Sequence, residues 1–163
     1  MTLRAYLAGA GVSEPYRPRL LDVAGRARAC AVLLAAEGTT LLGTVTYVPG
    51  PGTPESEFAD ADAAGMRMLA VDPAARGRGI GRALVRACVA RAIHDGRRRL
   101  VIHVRPEMEP ARRIYEALRF RREPQRDFEP LPGVGLWGYV LDLPAVSVPR
   151  APRGGSPTAG RHT

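Results

Sequence analysis

The sequence predicts an α/β protein of the α+β kind: a mixed, mostly antiparallel sheet flanked by helices. Three observations carry that prediction. Two short apolar runs, 31–36 and 40–48, lie on either side of Glu37-Gly38-Thr39, the spacing of a β-hairpin. Beyond them, strand-length apolar segments alternate with segments of helical spacing as far as residue 142. The length, 163 residues at 45% hydrophobic composition, is that of one domain able to bury a core. A hairpin followed by strand–helix–strand–helix–strand places helices against the faces of a single mixed sheet.

The elements follow in order. RPRLLDVAGRAR, 17–28, has helical spacing through Leu20, Leu21, Ala24 and Ala27. The runs 31–36 and 40–48 are the hairpin strands. PGPGTPESEFADADAAG, 49–65, reads as a loop from its three prolines and its acids Glu55, Glu57, Asp60 and Asp62. A third strand, 66–71, stops at Asp72-Pro73. A glycine and arginine loop leads into a helix from about residue 80 to 95, with Gly96 as its stop. Leu84, Cys88 and Ala92 share one face of that helix, and Arg78, Arg82 and Arg86 repeat at four-residue intervals on another. Strand 100–104 follows. Pro110 suits the first turn of a helix running to about Leu118, with Ala111, Ile114, Tyr115 and Leu118 on its inner face. LWGYVLD, 136–142, is the last strand. Residues 1–143 are expected to form the single domain. Residues 144–163, rich in Pro, Gly, Ser and Arg, are expected to be a disordered tail.

Composition excludes several function classes. All 24 basic residues are arginine, so a Walker A phosphate loop, a Schiff-base lysine and a lysine general base are ruled out. Cys30 and Cys88 have neither disulfide-framework nor metal-ligand spacing, and no metal site is expected. The longest apolar run, 29–36, is eight residues, well short of the ~20 that span a bilayer. The N-terminus is too glycine-rich and too weakly apolar for a signal peptide, and the expected location is the cytoplasm. The formal charge is +8, and it comes from one region: residues 73–126 hold 15 arginines and 5 acids. That segment points either to an anionic partner, a phosphorylated cofactor or a nucleic acid, or simply to arginines on solvated helix faces.

The sharpest feature is VDPAARGRGIGRAL, 71–84, where a strand ends, a glycine loop turns and a helix begins. Gly77, Gly79 and Gly81 let backbone N–H groups approach a ligand closely. The positive end of the helix faces the same spot, and Arg76, Arg78 and Arg82 add charge. This is an anion site of the kind that holds a pyrophosphate. A dinucleotide GxGxxG fails in both frames, because its third glycine would be Arg82 or Leu84.

The same segment resembles the acetyl-CoA-binding motif of the GNAT family of N-acetyltransferases, Arg/Gln-x-x-Gly-x-Gly/Ala, filled here by Arg76, Gly79 and Gly81. ARRIYEALRF resembles a second family segment through Ala111, Tyr115 and Phe120. The resemblance implies a GNAT-like acyl-CoA N-acyltransferase fold. Strands 66–71 and 100–104 would splay apart to admit the pantetheine arm of acetyl-CoA, paired to backbone at Leu69, Ala70 and Val71. The pyrophosphate would rest on Arg76, Gly77, Arg78, Gly79, Ile80, Gly81 and Arg82. A primary amine of a small molecule or peptide would attack the thioester directly. A backbone N–H near Leu69 would hold the oxyanion, and Tyr115 would protonate the thiolate. A tyrosine near pKa ~10 can serve a thiol near ~8.5 without strong perturbation of either. Met108 stands where the family often has asparagine, and Arg119 where it has glycine. MTLRAYLAG resembles the end of the family's first helix, so the family's first strand is expected to be absent. That leaves open a start upstream or a shortened domain with an exposed sheet edge.

The other candidates carry two readings each. His103 is a proton relay or a structural histidine. Glu57, Asp60 and Asp62 are possible bases or a solvated loop that attracts a cationic amine. Arg67 binds an acceptor carboxylate or faces outward. Trp137 and Tyr139 line an acceptor pocket or pack in the core. Cys88 is read as helix packing. A homodimer is open to the sequence. Two rival functions are a CoA-binding domain without turnover and an arginine-rich nucleic-acid binder. The basic segment lacks interleaved exposed aromatics, and its arginines flank a helix N-terminus, which argues against the second.

Overall fold

The computed structural model of the chain describes Thr2, Ala5 and residues 14–145. Most of the MTLRAYLAG stretch, and the tail from residue 146 onward, lie outside the described residues. Two short helices, α1 (Arg17–Leu21) and α2 (Val23–Ala29), stand where the spacing predicts one. The break is Asp22, whose carboxylate accepts a hydrogen bond from the Gly25 amide at 2.8 Å and so starts a new helix. The buried Arg26 guanidinium donates back to the carbonyl oxygens of Arg19 and Leu20, closing the end of α1.

One sheet follows, built from β1 (Ala31–Glu37), β2 (Thr40–Val48), β3 (Ala63–Val71), β4 (Arg99–Val104), β5 (Arg121–Arg122) and β7 (Val134–Asp142) in the order β1-β2-β3-β4-β7-β5. Strand β6 (Phe128–Leu131) pairs with β7 off this path. Every pairing is antiparallel except β3 with β4. A parallel pair needs a crossover, and α3 (Ile80–His94) supplies it. Helix α4 (Glu109–Ala117) follows β4. Leu84, Val85, Cys88 and Ala92 of α3 are all buried in the core that covers β2, β3 and β4. The approach of α3 requires Gly43 on β2, because a Cβ there would lie 3.0 Å from both Ile80 Cγ2 and Leu84 Cδ1.

Two departures from the expected elements position the site. Strand β3 begins at Ala63, inside the segment read as loop, because Ala63, Ala64 and Gly65 pair with Arg99, Leu100 and Val101 of β4. Gly65 is needed there, since a Cβ would come within 2.4 Å of the Phe58 ring. Residues 121–135, which showed no pattern, form β5, a 3-10 turn at Pro124–Arg126, and the β6–β7 hairpin around Gly133. Among the described residues no helix is long and apolar enough to cross a membrane.

Candidate active site

The parallel ladder between β3 and β4 runs from Ala63↔Arg99 to Met66↔Ile102 and stops. Beyond it β3 continues through Val71 and β4 through Val104, so the two strands diverge. On its other side β3 keeps pairing with β2, but with a bulge: Met68 and Leu69 stand opposite Val45 alone. Met68 has φ 55°, a left-handed backbone that a branched or bulky residue adopts only under constraint. A cavity of about 300 Å³ opens at this divergence. It is walled by β3 and β4, by Pro15, Tyr16 and Arg19 at the start of α1, by Met108, Ala111 and Tyr115 of the α4 segment, and by Leu131, Val134 and Leu136 of the β6–β7 hairpin.

Tyr115 lies in that wall at 5% exposure, stacked at a tilt on Phe120 and Tyr139 with ring centres 5.8 and 6.3 Å away. Among the described residues nothing hydrogen-bonds its hydroxyl. Burial, and secondarily the Cys88 thiol, push that hydroxyl above the ordinary tyrosine range. The side chain is therefore perturbed more than the sequence requires, in the direction that keeps it protonated. Cys88 itself is fully buried, its thiol pushed up to about 12 by desolvation, as a packing residue.

The polar end of the cavity is a network. Arg67, its side chain 11% exposed, donates from Nη1 to Glu55 Oε2 at 3.3 Å and from Nη2 to Glu57 Oε1 at 2.8 Å. It faces inward, and both terminal nitrogens are engaged by carboxylates. Arg19 of α1 reaches the same Glu55 at 3.2 Å. His103 faces Glu57 from β4, with Nδ1 at 3.6 Å from Oε2. Of the three loop acids singled out in the sequence, only Glu57 reaches the cavity. Asp60 is held by Arg126 and Arg99, and Asp62 is exposed.

At the other end, Gly77 and Gly79 take φ of 77° and 78°, and a Cβ on either would meet open space. Gly79 is the N-cap of α3, without a side-chain cap and with no acid in the first turn, which leaves the helix-end donors for an outside anion. Gly81 has another cause: its Cβ would come within 2.9 Å of Ile114 Cδ1, so the helix contact requires it. The arginines differ among themselves. Arg76 donates to the Ala5 carbonyl at 3.1 Å, and Arg78 pairs with Glu37 at 3.0 Å on the surface. Arg82 is exposed and has no ion pair among the described residues.

Of the two readings of Trp137 and Tyr139, core packing is the one observed, and neither lines the cavity. The Arg112 and Arg122 guanidiniums lie over Trp137 at 5.3 and 4.7 Å, and the buried Tyr139 donates to Glu116 Oε1 at 3.1 Å. Their place is taken by Leu136 and Val134 of the same strand and by Leu131. Tyr16, the N-cap of α1, and Leu131, at the end of β6, are not legible as site residues, since nothing local marks a residue that folding brings to a distant cavity. Arg119 at the end of α4 takes φ 69°, the left-handed conformation usually given to glycine, while Phe120 N bonds Tyr115 O at 3.0 Å.

The fold is that of an acetyltransferase domain. The family model for the acetyltransferase (GNAT) family matches residues 4–120, and the chain belongs to that family, which makes it an acyltransferase by class. It is similar in structure to an acetyltransferase from Salmonella typhimurium determined with its cofactor acetyl-CoA, with 20% identity over 91% of this chain and 87% of that one and a TM-score of 0.62. A GCN5-related N-acetyltransferase from Kribbella flavida shares 28% identity over 71% of this chain and 68% of that one, with a TM-score of 0.55. A GNAT-family protein from Desulfovibrio desulfuricans shares 23% identity over 86% and 90%, with a TM-score of 0.62. No curated protein matches the chain.

Proposed function

We propose that the protein transfers an acetyl group from acetyl-CoA to a primary amine by direct attack in a ternary complex, without a covalent acyl-enzyme, and that residues 1–143 are its one catalytic domain. The observation that carries this reading is the divergence of β3 from β4 beyond Met66↔Ile102 into a cavity with Tyr115 in its wall. The edge of β3 facing β4 has no strand partner there, so the backbone at Leu69, Ala70 and Val71 is the place for an extended amide-bearing chain such as pantetheine. The amides of Gly77, Gly79, Ile80 and Gly81, with Arg76, Arg78 and Arg82, would hold the pyrophosphate. The acetyl-CoA in the Salmonella structure supports the choice of donor.

In this reading the amine nitrogen forms the new C–N bond at the thioester carbon. A backbone N–H at the Met68–Leu69 bulge would donate to the oxyanion. The C–S bond then breaks and Tyr115 supplies the proton that converts the thiolate to a thiol. The test is calorimetric titration of acetyl-CoA into the wild type, Gly79→Glu and Arg82→Glu. The first variant fills the cradle with an anion. The second reverses a charge at an exposed position and leaves the backbone unstrained. One-site binding by the wild type and at least about tenfold weaker binding by both folded variants is the expected result. A folded wild type that does not bind acetyl-CoA overturns the reading.

A further inference from the structure

A loop that binds an anion through its amides cannot use those amides to hold itself. The segment entering α3 has this difficulty between two anchored ends. Before it, the Ala74 amide donates to Asp72 Oδ1 at 3.0 Å and the Ala75 amide to the Asp72 carbonyl at 2.8 Å. After it, the Ala83 amide donates to the Gly79 carbonyl at 3.0 Å in the first turn of α3. Among the described residues no acceptor takes the amides of Gly77, Arg78 or Gly79. A Cβ on either glycine would meet open space, so packing does not fix them. Glycine also loses more backbone freedom on ordering than any other residue. What remains is the two side chains that alternate with the glycines. Arg76 Nη2 donates to the carbonyl oxygen of the buried Ala5, 71 positions away. Arg78 Nη2 donates to Glu37 Oε1 at 3.0 Å, 41 positions away. Glu37 closes the β1–β2 hairpin opposite Thr40, next to Gly38 at φ 56°. The arginines on either side of Gly77 therefore reach outward to two different elements.

We propose that Glu37 is a positioning residue for the cofactor: through Arg78, and beside the Arg76–Ala5 bond, it straps the loop so that its amides stand ordered and free before the ligand binds. The proposal rests on the acyl-transfer reading above for the identity of the anion. Ordering the loop in advance raises affinity, because less freedom is lost at the moment of binding. The share of Arg76 and Arg78 in holding the pyrophosphate is then to hold the loop. Arg82, exposed and without an ion pair among the described residues, is left to meet the charge directly. Glu37 separates this role from a plain charge effect by sign. A carboxylate near a phosphate site repels the ligand, so its removal would tighten binding. Removal of a strap loosens the loop and weakens binding. The two side chains are 69% and 48% exposed, so their pair adds little to the stability of the whole fold. Its effect is local, on a segment that among the described residues has only these two side-chain ties.

The test compares the full wild-type chain with Glu37→Ala and with the exchanged pair, Glu37→Arg together with Arg78→Glu. CoA is titrated by calorimetry into the wild type and Glu37→Ala at physiological salt. The heteronuclear NOE of the Gly77 and Gly79 amides, which reads picosecond to nanosecond motion, is measured in all three without ligand. Glu37→Ala is expected to bind CoA about threefold more weakly, with Tm unchanged and a lower NOE at both glycines. The exchanged pair is expected to return the NOE to its wild-type value, because it rebuilds the strap with its charges reversed. Tighter or unchanged CoA binding by Glu37→Ala would overturn the proposal. So would an NOE that does not move in Glu37→Ala, or one that stays low in the exchanged pair. A fall in Tm large enough to account for the lost affinity would make Glu37 a residue of the fold alone and overturn it too. A folded wild type that binds no CoA would count against the acyl-transfer reading, while the NOE series still decides whether the strap exists.

Discussion

Asp60 and Arg126, 66 positions apart, meet through two hydrogen bonds, Nη1 to Oδ2 at 2.7 Å and Nη2 to Oδ1 at 2.9 Å. The pair ties the loop that carries Glu57 to the turn whose carbonyl holds His103. The hydrogen bonds from Arg126 hold the Asp60 carboxyl below its usual range. A group lowered in this way stabilises the fold above the unfolded value of about 3.9 and loses that contribution as pH falls through the folded value. Asp60→Asn is expected to lower the unfolding free energy by about 1–2 kcal/mol at neutral pH. The gap to wild type is expected to narrow as pH falls below the unfolded value of about 3.9. Urea denaturation above and below that value checks this, and a gap of the same size in both would count against the pair.

Arg67 keeps two carboxylates together. Its side chain and that of Glu55 are each 11% exposed, and Glu57 is 16% exposed. Arg67→Met would leave the two acids facing each other with little water, at a cost of about 3 kcal/mol or more. Glu55→Gln added to Arg67→Met should recover part of the loss. Additive losses in the double mutant, measured by denaturation, would show that no such repulsion exists.

Tyr115→Phe keeps the ring that packs on Phe120 and Tyr139 and removes only the hydroxyl. Under the proposed mechanism turnover falls about 100-fold or more while acetyl-CoA affinity holds. Burial raises the hydroxyl, so it stays protonated, and its ionisation gives no alkaline loss of wild-type kcat below about pH 10. A kcat unchanged in Tyr115→Phe would remove this residue from the chemistry.

Arg119 holds a left-handed φ of 69° at the end of α4. Glycine takes that conformation without the steric cost of a Cβ, so Arg119→Gly should stabilise the fold by about 0.5–1 kcal/mol. A rise in Tm is the expected reading. A fall would mean that the arginine side chain makes contacts worth more than the strain.

Gly138 lies where β7 passes the turn at Pro124–Arg126, and a Cβ there would come within 2.4 Å of Arg126 Cβ. Gly138→Ala should cost about 1–3 kcal/mol through overpacking. It should also loosen the carbonyl that holds His103. Unchanged stability by thermal unfolding would show that the turn gives way freely.

What the sequence determined by itself is what neighbouring residues encode. The hairpin at Gly38, the inner face of α3 through Leu84, Cys88 and Ala92, and the glycine loop at 77–81 all follow from local period and from residues that accept particular backbone angles. Their stabilising contacts, or the conformations they need, are specified within a few positions. The tertiary structure alone decided the rest. Strand β3 starts at Ala63 because β4 offers it a partner there, although the loop composition around it points the other way. Glu57 enters the cavity while Asp60 and Asp62 do not, because Arg67 and Arg126 each draw one acid of the run toward a different part of the sheet. The β6–β7 hairpin brings Leu131 to the cavity without a local pattern to announce it. Pairing and charge complementarity between distant segments are cooperative properties of the packed sheet. A one-dimensional pattern records only that the residues are present, and the folded chain decides which of them meet.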